Sequence, residues 1–547
     1  MSSTSDPSPA SSVQDAAPPD SPGRSGAAPS AIDWPVLVLS GGFLTAFVVV
    51  ALIDIDLAGT LVFGGFDLAA AWFGAFWQAL LFLTFVIAIA LAASRYGRVR
   101  LGNTATPEFS TYKWISMILC TLLAGGGVFW AFAEPMAHFL DAPPMFPGVE
   151  SGTPEAVAPA LAASFTDWGF LAWAILGTLG TIVLMYGHYH RGMPLRPRTL
   201  LYPVFGEWIR TSWLGTVIDV TAIVAVAAGT IGPIGFLGLQ ASFGLSALFG
   251  LPDTYATQAG VIVLLMAIVM ISAATGVDQG IQNLSRFNVG LAAALGFAVL
   301  VVGGGLFAIN AFVGGFGTYL ADFVSLQLYR GDTQWLNSWT VFFFGWFLGY
   351  GPMMAIFVAR ISRGRTIREL IVAVAVIAPI VTAVWFTIVG GAGMQLELQS
   401  PGIISGVEGG VFNLPAVMIA VTQALPGGVL LAPLFLLLTL TFVATTGDSM
   451  SYTMAVAVSG DDTPKTWLRL VFAGLMGLLA VLLIALGDGG VSALQAFIVV
   501  TAVPVGFYLL PTLWLAPKVA AALAREQGIA EPRARTETAA RPAPADR

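Results

Sequence analysis

The sequence predicts an all-α polytopic membrane protein with twelve transmembrane helices. Three observations lead to this fold class: an apolar composition, twelve long apolar segments, and loops that alternate between basic and non-basic. Of the 547 residues, 57% are hydrophobic and 10% are charged, whereas soluble globular chains are about 45–50% apolar and roughly 25% charged. The composition therefore excludes a soluble enzyme, and the net charge of −7 predicts no nucleic-acid partner.

The apolar segments have the length of membrane-spanning helices, which need about 20 mostly apolar residues. They are too long and too uniformly apolar for the strands of a β-barrel, which are about ten residues of alternating polarity. We number them spans 1 to 12, at residues 34–53, 68–94, 112–132, 160–186, 215–245, 257–276, 289–314, 338–360, 368–391, 427–452, 466–487 and 490–515. The transmembrane domain is thus expected at residues 33–515. Residues 1–32 are expected to form a disordered cytoplasmic tail and residues 516–547 a short cytoplasmic tail.

Basic residues are concentrated in the loops that follow spans 2, 4, 8 and 10. The loop after span 4, for example, contains four arginines between residues 191 and 210, whereas residues 133–159 contain acidic side chains and no lysine or arginine. Cytoplasmic loops of membrane proteins carry an excess of lysine and arginine. The pattern therefore predicts that both termini are cytoplasmic and that the number of spans is even.

Several spans contain clusters of glycine or polar residues that predict interrupted helices. They are residues 125–127 in span 3, 229–235 in span 5, 345–352 in span 8 and 444–449 in span 10. Discontinuous helices at corresponding positions of two halves mark the binding sites of transporters. Spans 3 and 8 are five apart, as two repeats of five helices would require. The alternative is that these glycines only allow helices to pack closely.

Four motifs carry a resemblance to a known family: residues 95–102 (RYGRVRLG), 129–135 (FWAFAEP), 165–173 (FTDWGFLAW) and 357–369 (FVARISRGRTIRE). In these motifs the chain resembles the betaine/choline/carnitine transporter family from about Asp33 to Leu515. The resemblance implies a LeuT-like fold with two inverted five-helix repeats, spans 3–7 and 8–12. It also implies secondary active transport of compatible solutes by a homotrimer, with many passes through the bacterial inner (plasma) membrane and no enzymatic activity or cofactor.

The resemblance also implies a cage of aromatic side chains around the substrate. A quaternary ammonium cannot donate hydrogen bonds, and it is held instead by aromatic faces, each worth about 0.5–2 kcal/mol. Trp168 and Trp173 in span 4 match the two tryptophans of the family's aromatic box, and Trp346 in span 8 matches a third. Leu176 stands where the family box has a tyrosine. The cage is therefore expected to attract cations less strongly than in other members.

Span 8 also departs from the family pattern in a way that weakens the attraction of cations. Phe344, Phe347 and Tyr350 stand where tryptophans usually lie, and Phe347 is the position that closes the box. Backbone N–H groups at Gly125 and Gly126 are expected to bind the carboxylate end of a substrate. Two substrate classes stay open: a methylated onium or sulfonium solute, such as glycine betaine, choline or dimethylsulfoniopropionate, or a less cationic zwitterion such as a small amino acid.

The coupling ion predicted from the resemblance is sodium, which prefers oxygen ligands as other hard cations do. Thr445 and Thr446 in span 10 match the paired hydroxyl residues of the family's sodium site, and the carbonyl groups of Cys120 and Leu123 would complete it. Proton coupling through Asp448 is the alternative. The favoured interpretation of Asp448 is that it caps the end of an unwound segment.

Three other functional classes are weighed and ranked lower. Transporters of other LeuT-like families, such as those for amino acids, place their glycine-containing break in the first span, whereas this chain has it in span 3. A channel would need a ring of repeated ligands around a pore, and none is evident in the sequence. A membrane enzyme would need a nucleophile with a base or a set of metal ligands, and none stands out.

Overall fold

The computed structural model describes residues 32–123, 126–275, 278–406, 412–460, 464–486 and 490–529. Within these residues the secondary structure is helical, with one isolated β-bridge between Arg100 and Thr366. The predicted all-α membrane fold is confirmed. The N-terminal tail predicted at residues 1–32 and most of the C-terminal tail lie outside the described residues.

The first half of the described chain contains eleven helices that matter for the site. They are α1 (Trp34–Ile53), α2 (Ile55–Ala93), α3 (Thr111–Leu123), α4 (Gly126–Leu140), α5 (Val157–Trp168), α6 (Phe170–Gly177), α7 (Leu179–Met185), α8 (Trp213–Phe249), α9 (Tyr255–Thr275), α10 (Asp278–Val302) and α11 (Gly305–Ala321). The second half continues with α12 (Phe342–Ile361), α13 (Ile367–Val372), α14 (Ala378–Gln399), α15 (Val417–Ala424), α16 (Gly428–Ser459), α17 (Thr466–Ile484), α18 (Val491–Leu509) and α19 (Thr512–Glu526).

Eleven stretches of helix in the described part of the chain are long and apolar enough to cross a membrane. They coincide with eleven of the twelve predicted spans. Span 3 covers the described helices α3 and α4, and residues 124–125 between them lie outside the described part. The break predicted at residues 125–127 stays a prediction at Gly125, whereas residues 126 and 127 belong to helix α4. The inverted relation between the two sets of five spans stays a prediction.

The breaks predicted inside spans 5, 8 and 10 are wrong. Residues 229–235 lie within the continuous helix α8, residues 345–352 within α12, and residues 444–449 within α16. The glycines serve close packing, as the alternative interpretation held. A Cβ atom would lie 2.3 Å from Tyr350 Cε2 if placed at Gly229, 2.6 Å from Ile498 Cδ1 at Gly232, and 2.4 Å from Leu494 Cδ1 at Gly235.

Spans 4 and 7 are interrupted where the sequence predicts continuous helices. Span 4 consists of α5, α6 and α7, with breaks at Gly169 and Thr178. The segment predicted as span 7, residues 289–314, covers the end of α10 and the beginning of α11. Gly304 separates them with a φ of +86°, and a Cβ there would lie 1.7 Å from Gln395 Oε1, so only glycine fits this turn.

The loops rich in arginine lie together on one side of the molecule, with both ends of the described chain. Arg196 pairs with Asp33, which precedes α1, at 2.8 Å. Arg191 pairs with Glu526, at the end of α19, at 2.5 Å. The loops after spans 2 and 8 meet through the β-bridge. Helix α19 runs across the boundary predicted at residue 515 and buries Val519.

Asp448 does not cap an unwound segment, because α16 continues eleven residues beyond it to Ser459. Its carboxylate accepts a hydrogen bond from Arg469 on α17 at 2.9 Å, and both side chains are buried. The pair joins two neighbouring spans. It also supplies Asp448 with a positive partner, which weakens the case for Asp448 as a proton carrier.

We expect Arg469→Met to destabilise the protein by about 3–5 kcal/mol, because it leaves the carboxylate of Asp448 buried without its cation. The measurement is the thermal unfolding midpoint in detergent. The double variant Asp448→Asn with Arg469→Met removes both charges, and it should recover most of the lost stability. If the single and double variants unfolded at the same temperature, the ion pair would not be the source of the effect.

Candidate functional site

An aromatic cluster lies where α5, α12 and α14 meet. Trp168 is the last residue of α5, Trp346 and Phe347 are adjacent on α12, and Phe386 lies on α14. The ring centroid of Trp168 is 5.9 Å from that of Trp346, 5.2 Å from that of Phe347 and 5.1 Å from that of Phe386. Phe343 completes the group, with its ring 5.3 Å from Trp168. We call these five residues the aromatic cluster.

Hydrogen bonds fix the two indoles in the cluster. Trp168 Nε1 donates to Glu134 Oε2 at 2.7 Å, and Trp346 Nε1 donates to the carbonyl oxygen of Gly229 at 3.0 Å. A buried indole N–H usually finds such a partner. Trp168 meets Phe347 and Trp346 edge to face. The rings therefore fill the space between them in this conformation, and an onium group would have to part them.

Gly126 packs directly against both indole rings. A Cβ atom at this position would lie 2.7 Å from Trp346 Cη2 and 2.8 Å from Trp168 Cη2. Gly126 therefore packs against two of the predicted cage residues, and its predicted role as a backbone donor to a carboxylate stays a prediction. Gly125, predicted to act with Gly126, lies outside the described residues.

The structure brings together only part of the predicted cage. Trp168, Trp346, Phe347 and Gly126 meet, as described above. Trp173 and Leu176 are buried on α6, beyond the break at Gly169. Among the described aromatic rings, none stacks on Trp173, and none on Phe344, which is also buried. Tyr350 packs against Gly229, and its hydroxyl makes a 2.8 Å hydrogen bond with Thr230.

Phe343 and Phe386 are additions from the structure, because neither is among the predicted cage residues. The signal for Phe343 was available, because Phe343, Trp346, Phe347 and Tyr350 follow the i, i+3, i+4, i+7 spacing of one helix face. No comparable signal marked Phe386, which belongs to a helix that is distant in sequence and meets the cluster only through the tertiary fold.

The two threonines of the predicted ion site lie on α16 and differ in their partners. Thr445 Oγ1 accepts a hydrogen bond from Asn288 Nδ2 on α10 at 3.2 Å and bonds to carbonyls of its own helix. Thr446 Oγ1 and Asn288 Oδ1 are buried and have no hydrogen-bond partner. Unpartnered buried oxygens are rare in proteins, and hard cations bind such oxygens. The donor set therefore fits sodium.

The other predicted ligands of the ion site belong to α3. Cys120 and Leu123 lie in its last two turns, and their side chains lie outside the described part of the structure. Their predicted role through backbone carbonyls stays a prediction. Asn288, in contrast, is an addition from the structure, because its sequence context gave no reason to link span 7 to span 10.

Comparisons with known proteins give a consistent result. The model of the family described as betaine/carnitine/choline family transporter matches residues 35–525. Glycine betaine transporter 2 of Vibrio parahaemolyticus is 52% identical over 495 residues, which cover 90% of this chain and 91% of the relative. An ectoine/hydroxyectoine transporter of Virgibacillus pantothenticus is 31% identical over 480 residues, or 86% of this chain and 93% of the relative. A glycine betaine/proline/choline transporter of V. parahaemolyticus is 32% identical over 445 residues, or 78% of each chain.

Proposed function

This chain belongs to the betaine/carnitine/choline transporter family, and from that premise we propose that it imports a small quaternary-ammonium solute by sodium symport. Glycine betaine is the first candidate substrate, because the relative that is 52% identical carries that name. Choline and dimethylsulfoniopropionate share the methylated cationic head and are the next candidates.

The observation that carries this proposal is the closure of Trp168 and Trp346 over Gly126. Two indoles and Phe347 converge from α5 and α12 on one point, and the indole is the aromatic group that attracts cations best. The same point lies against Gly126, and the backbone N–H groups proposed to bind the carboxylate belong to Gly125 and Gly126. A betaine presents these two groups, a methylated cation and a carboxylate, at opposite ends of a short molecule.

A less cationic zwitterion is the second candidate substrate. Leu176 and Phe347 replace more strongly cation-attracting residues of the family pattern, and Trp173 lies on a different helix from Trp168. Relatives that are 31% and 32% identical are named for ectoine and for proline among other solutes. These names support a test of both classes in one assay.

Sodium is the proposed coupling ion, and Thr446 and Thr445 are its proposed side-chain ligands. The buried oxygens of Thr446 and Asn288, which have no hydrogen-bond partner, support this assignment. The arginine-bearing side of the molecule is proposed to face the cytoplasm of a bacterial cell, with both termini on that side. The homotrimer and the LeuT-like inverted repeat are proposed from the family resemblance.

The test of the proposed function is uptake of radiolabelled glycine betaine into proteoliposomes, with and without an inward sodium gradient. Choline, dimethylsulfoniopropionate, ectoine, glycine and proline serve as competitors. Sodium-driven uptake that is blocked by the methylated compounds would support onium transport. Uptake blocked only by the non-methylated zwitterions would assign the second substrate class, and uptake independent of sodium would reject sodium symport.

We expect Trp346→Leu to raise the KM for glycine betaine by about 2- to 30-fold, the equivalent of a cation–π contribution of about 0.5–2 kcal/mol. Trp346→Phe keeps an aromatic face and should lie between the leucine variant and the unmodified protein. The measurement is initial uptake rate against substrate concentration. Equal KM values for the leucine and phenylalanine variants would mean that Trp346 acts through its volume and not through its π face.

A further inference from the structure

Two carboxylates and an imidazole form a buried cluster directly behind Trp168. Glu134 and His138 lie one turn apart on α4, and Asp167 precedes Trp168 on α5. Their exposed fractions are 0%, 1% and 0%. One polar atom of each side chain lies within 4.8 Å of the others. Since charged side chains inside a membrane protein are costly and usually functional, this cluster requires an explanation.

The hydrogen bonds of the cluster are incomplete. Glu134 Oε2 accepts from Trp168 Nε1, but Glu134 Oε1 has no hydrogen bond and lies 3.8 Å from His138 Nε2, which also lacks one. Both oxygens of Asp167 and the hydroxyl of its neighbour Thr340 are buried, and Thr340 is close enough to interact with the Asp167 carboxyl group. Glu134 Oε1 and His138 Nε2 thus remain buried without a hydrogen bond, and among the described residues Asp167 has no hydrogen-bond partner besides Thr340.

Within the described residues, the helices around this cluster supply no basic side chain to balance the carboxylates. Several other titratable or charged groups on these helices and their flanking segments have partners outside the cluster. Tyr319 bonds Phe170 N and Gln327, Glu397 is held by residues 402–405, Tyr350 bonds Thr230, Asp219 pairs with Arg198, Lys113 lies over Phe109, and Arg330 bonds Gln78.

We propose that Glu134, Asp167 and His138 share a bound proton, and that this proton site is coupled to the substrate cage through Trp168. The proposal goes beyond sodium symport, because it adds a second cation to the transport cycle. Its link to the substrate rests on the proposed function, whereas the existence of the proton site does not.

Electrostatics support a proton at this location. Two carboxylates a few ångströms apart in a buried site cannot both be ionised without a counter-charge, and pairs of this kind hold one proton between them. The hydrogen bond from Trp168 stabilises the ionised form of Glu134. The proton therefore resides on Asp167 while the cage is closed, and the buried imidazole of His138 is neutral.

The coupling follows from the same hydrogen bond. An onium group has to part Trp168 from the rings around it, which pulls Nε1 away from Glu134. Glu134 then loses the donor that favours its ionised form, and protonation of Glu134 becomes easier. Opening of the cage should thus be accompanied by proton uptake from water, and closing by proton release. Because the indole stabilises the ionised form of Glu134, moving the indole away favours uptake of a proton and not its release.

The first experiment tests the proton site without any substrate. Infrared difference spectra of the purified, lipid-reconstituted protein at neutral pH should contain a carboxylic-acid C=O band that shifts in D2O. Asp167→Asn should abolish this band, since Asp167 carries the proton while the cage is closed. Glu397→Gln is the matched control and should leave the band unchanged, because Glu397 is also buried but accepts four hydrogen bonds, from Gly402, Ile404 and Ser405. A band that persists in Asp167→Asn, or that is absent from the unmodified protein, would overturn the proposal.

The second experiment tests the coupling. Glycine betaine is added to the weakly buffered protein, and proton uptake is followed with a pH-indicator dye, beside binding measured from tryptophan fluorescence. Proton uptake in the unmodified protein and its loss in Glu134→Gln, whose amide oxygen can still accept from Trp168, would support the coupling if binding is still detected. Binding without proton uptake would overturn it.

Absence of binding together with an intact infrared band would reject the proposed substrate while leaving the proton site standing. A stoichiometric metal ion in the unmodified protein that is absent from Asp167→Asn would replace the proton by a metal.

Discussion

Gly126→Ala is expected to reduce glycine betaine uptake by about tenfold or more. The added methyl group would lie 2.7 Å from Trp346 Cη2 and 2.8 Å from Trp168 Cη2, closer than carbon atoms can approach. Both indoles are held by hydrogen bonds to Glu134 and Gly229, so neither can move without losing a buried partner. Overpacking of this kind costs about 1–3 kcal/mol, and about 1.4 kcal/mol corresponds to a factor of ten.

The matched control for this substitution is Gly391→Ala on α14. Gly391 is also a buried helical glycine, but a Cβ there would lie 3.9 Å from its nearest neighbours, which is ordinary contact. Its uptake should remain near that of the unmodified protein. Both variants should be compared for thermal stability in detergent. Normal uptake by a well-folded Gly126→Ala protein would show that the indoles can part freely, and it would remove Gly126 from the site.

Thr446→Val is expected to raise the sodium concentration for half-maximal uptake by at least about tenfold. Valine has the shape of threonine but replaces the buried Oγ1 atom, which has no hydrogen-bond partner, by a methyl group. Loss of groups that merely support a metal ligand already lowers metal affinity about 10- to 100-fold, and the loss of a ligand should cost no less. The maximal rate at saturating sodium should fall less than the affinity does.

Thr453→Val on the same helix is the control for this variant. Its hydroxyl donates to the carbonyl of Ser449 at 2.8 Å in an exposed hydrogen bond, about two helical turns from Thr446, so it lies outside the proposed ion site. Sodium dependence should be unchanged. If Thr446→Val retained the sodium affinity of the unmodified protein, the ion would bind elsewhere, and Asn288 would be the next residue to substitute.

The features predicted well from the sequence are those that depend on composition and on long motifs. Eleven spans emerge from their apolar length, and the family resemblance singles out Trp168, Trp346 and Gly126, which the structure places in contact while their binding roles stay predictions. The errors concern helix continuity. Glycine clusters in spans 5, 8 and 10 were interpreted as breaks, yet Gly232 and Gly235 only make room for Ile498 and Leu494. A sequence does not reveal whether a glycine bends its own helix or makes room for a side chain of a neighbouring helix.

The site shows the same limit. Phe386 reaches the aromatic cluster, and Asn288 reaches Thr445 of the proposed ion site, each from a helix that is far away along the chain. Nothing in their local sequence indicates these contacts. The carboxylate of Asp448 was assigned to a helix end because its partner, Arg469, lies on a different span. Contacts between distant segments are set by the packing of the whole bundle, which one sequence does not specify.

The break at Gly169 has a consequence for how the cage can be inferred in relatives. On an unbroken helix, two residues five positions apart keep a fixed angular offset of about 140°, at 3.6 residues per turn. Gly169 adopts a φ of −93° and a ψ of −139°, so the helical phase restarts between Trp168 and Trp173. The spacing of these two tryptophans therefore carries no information about their relative orientation. A relative with an unbroken fourth span could hold the same tryptophans in a cage of a different shape.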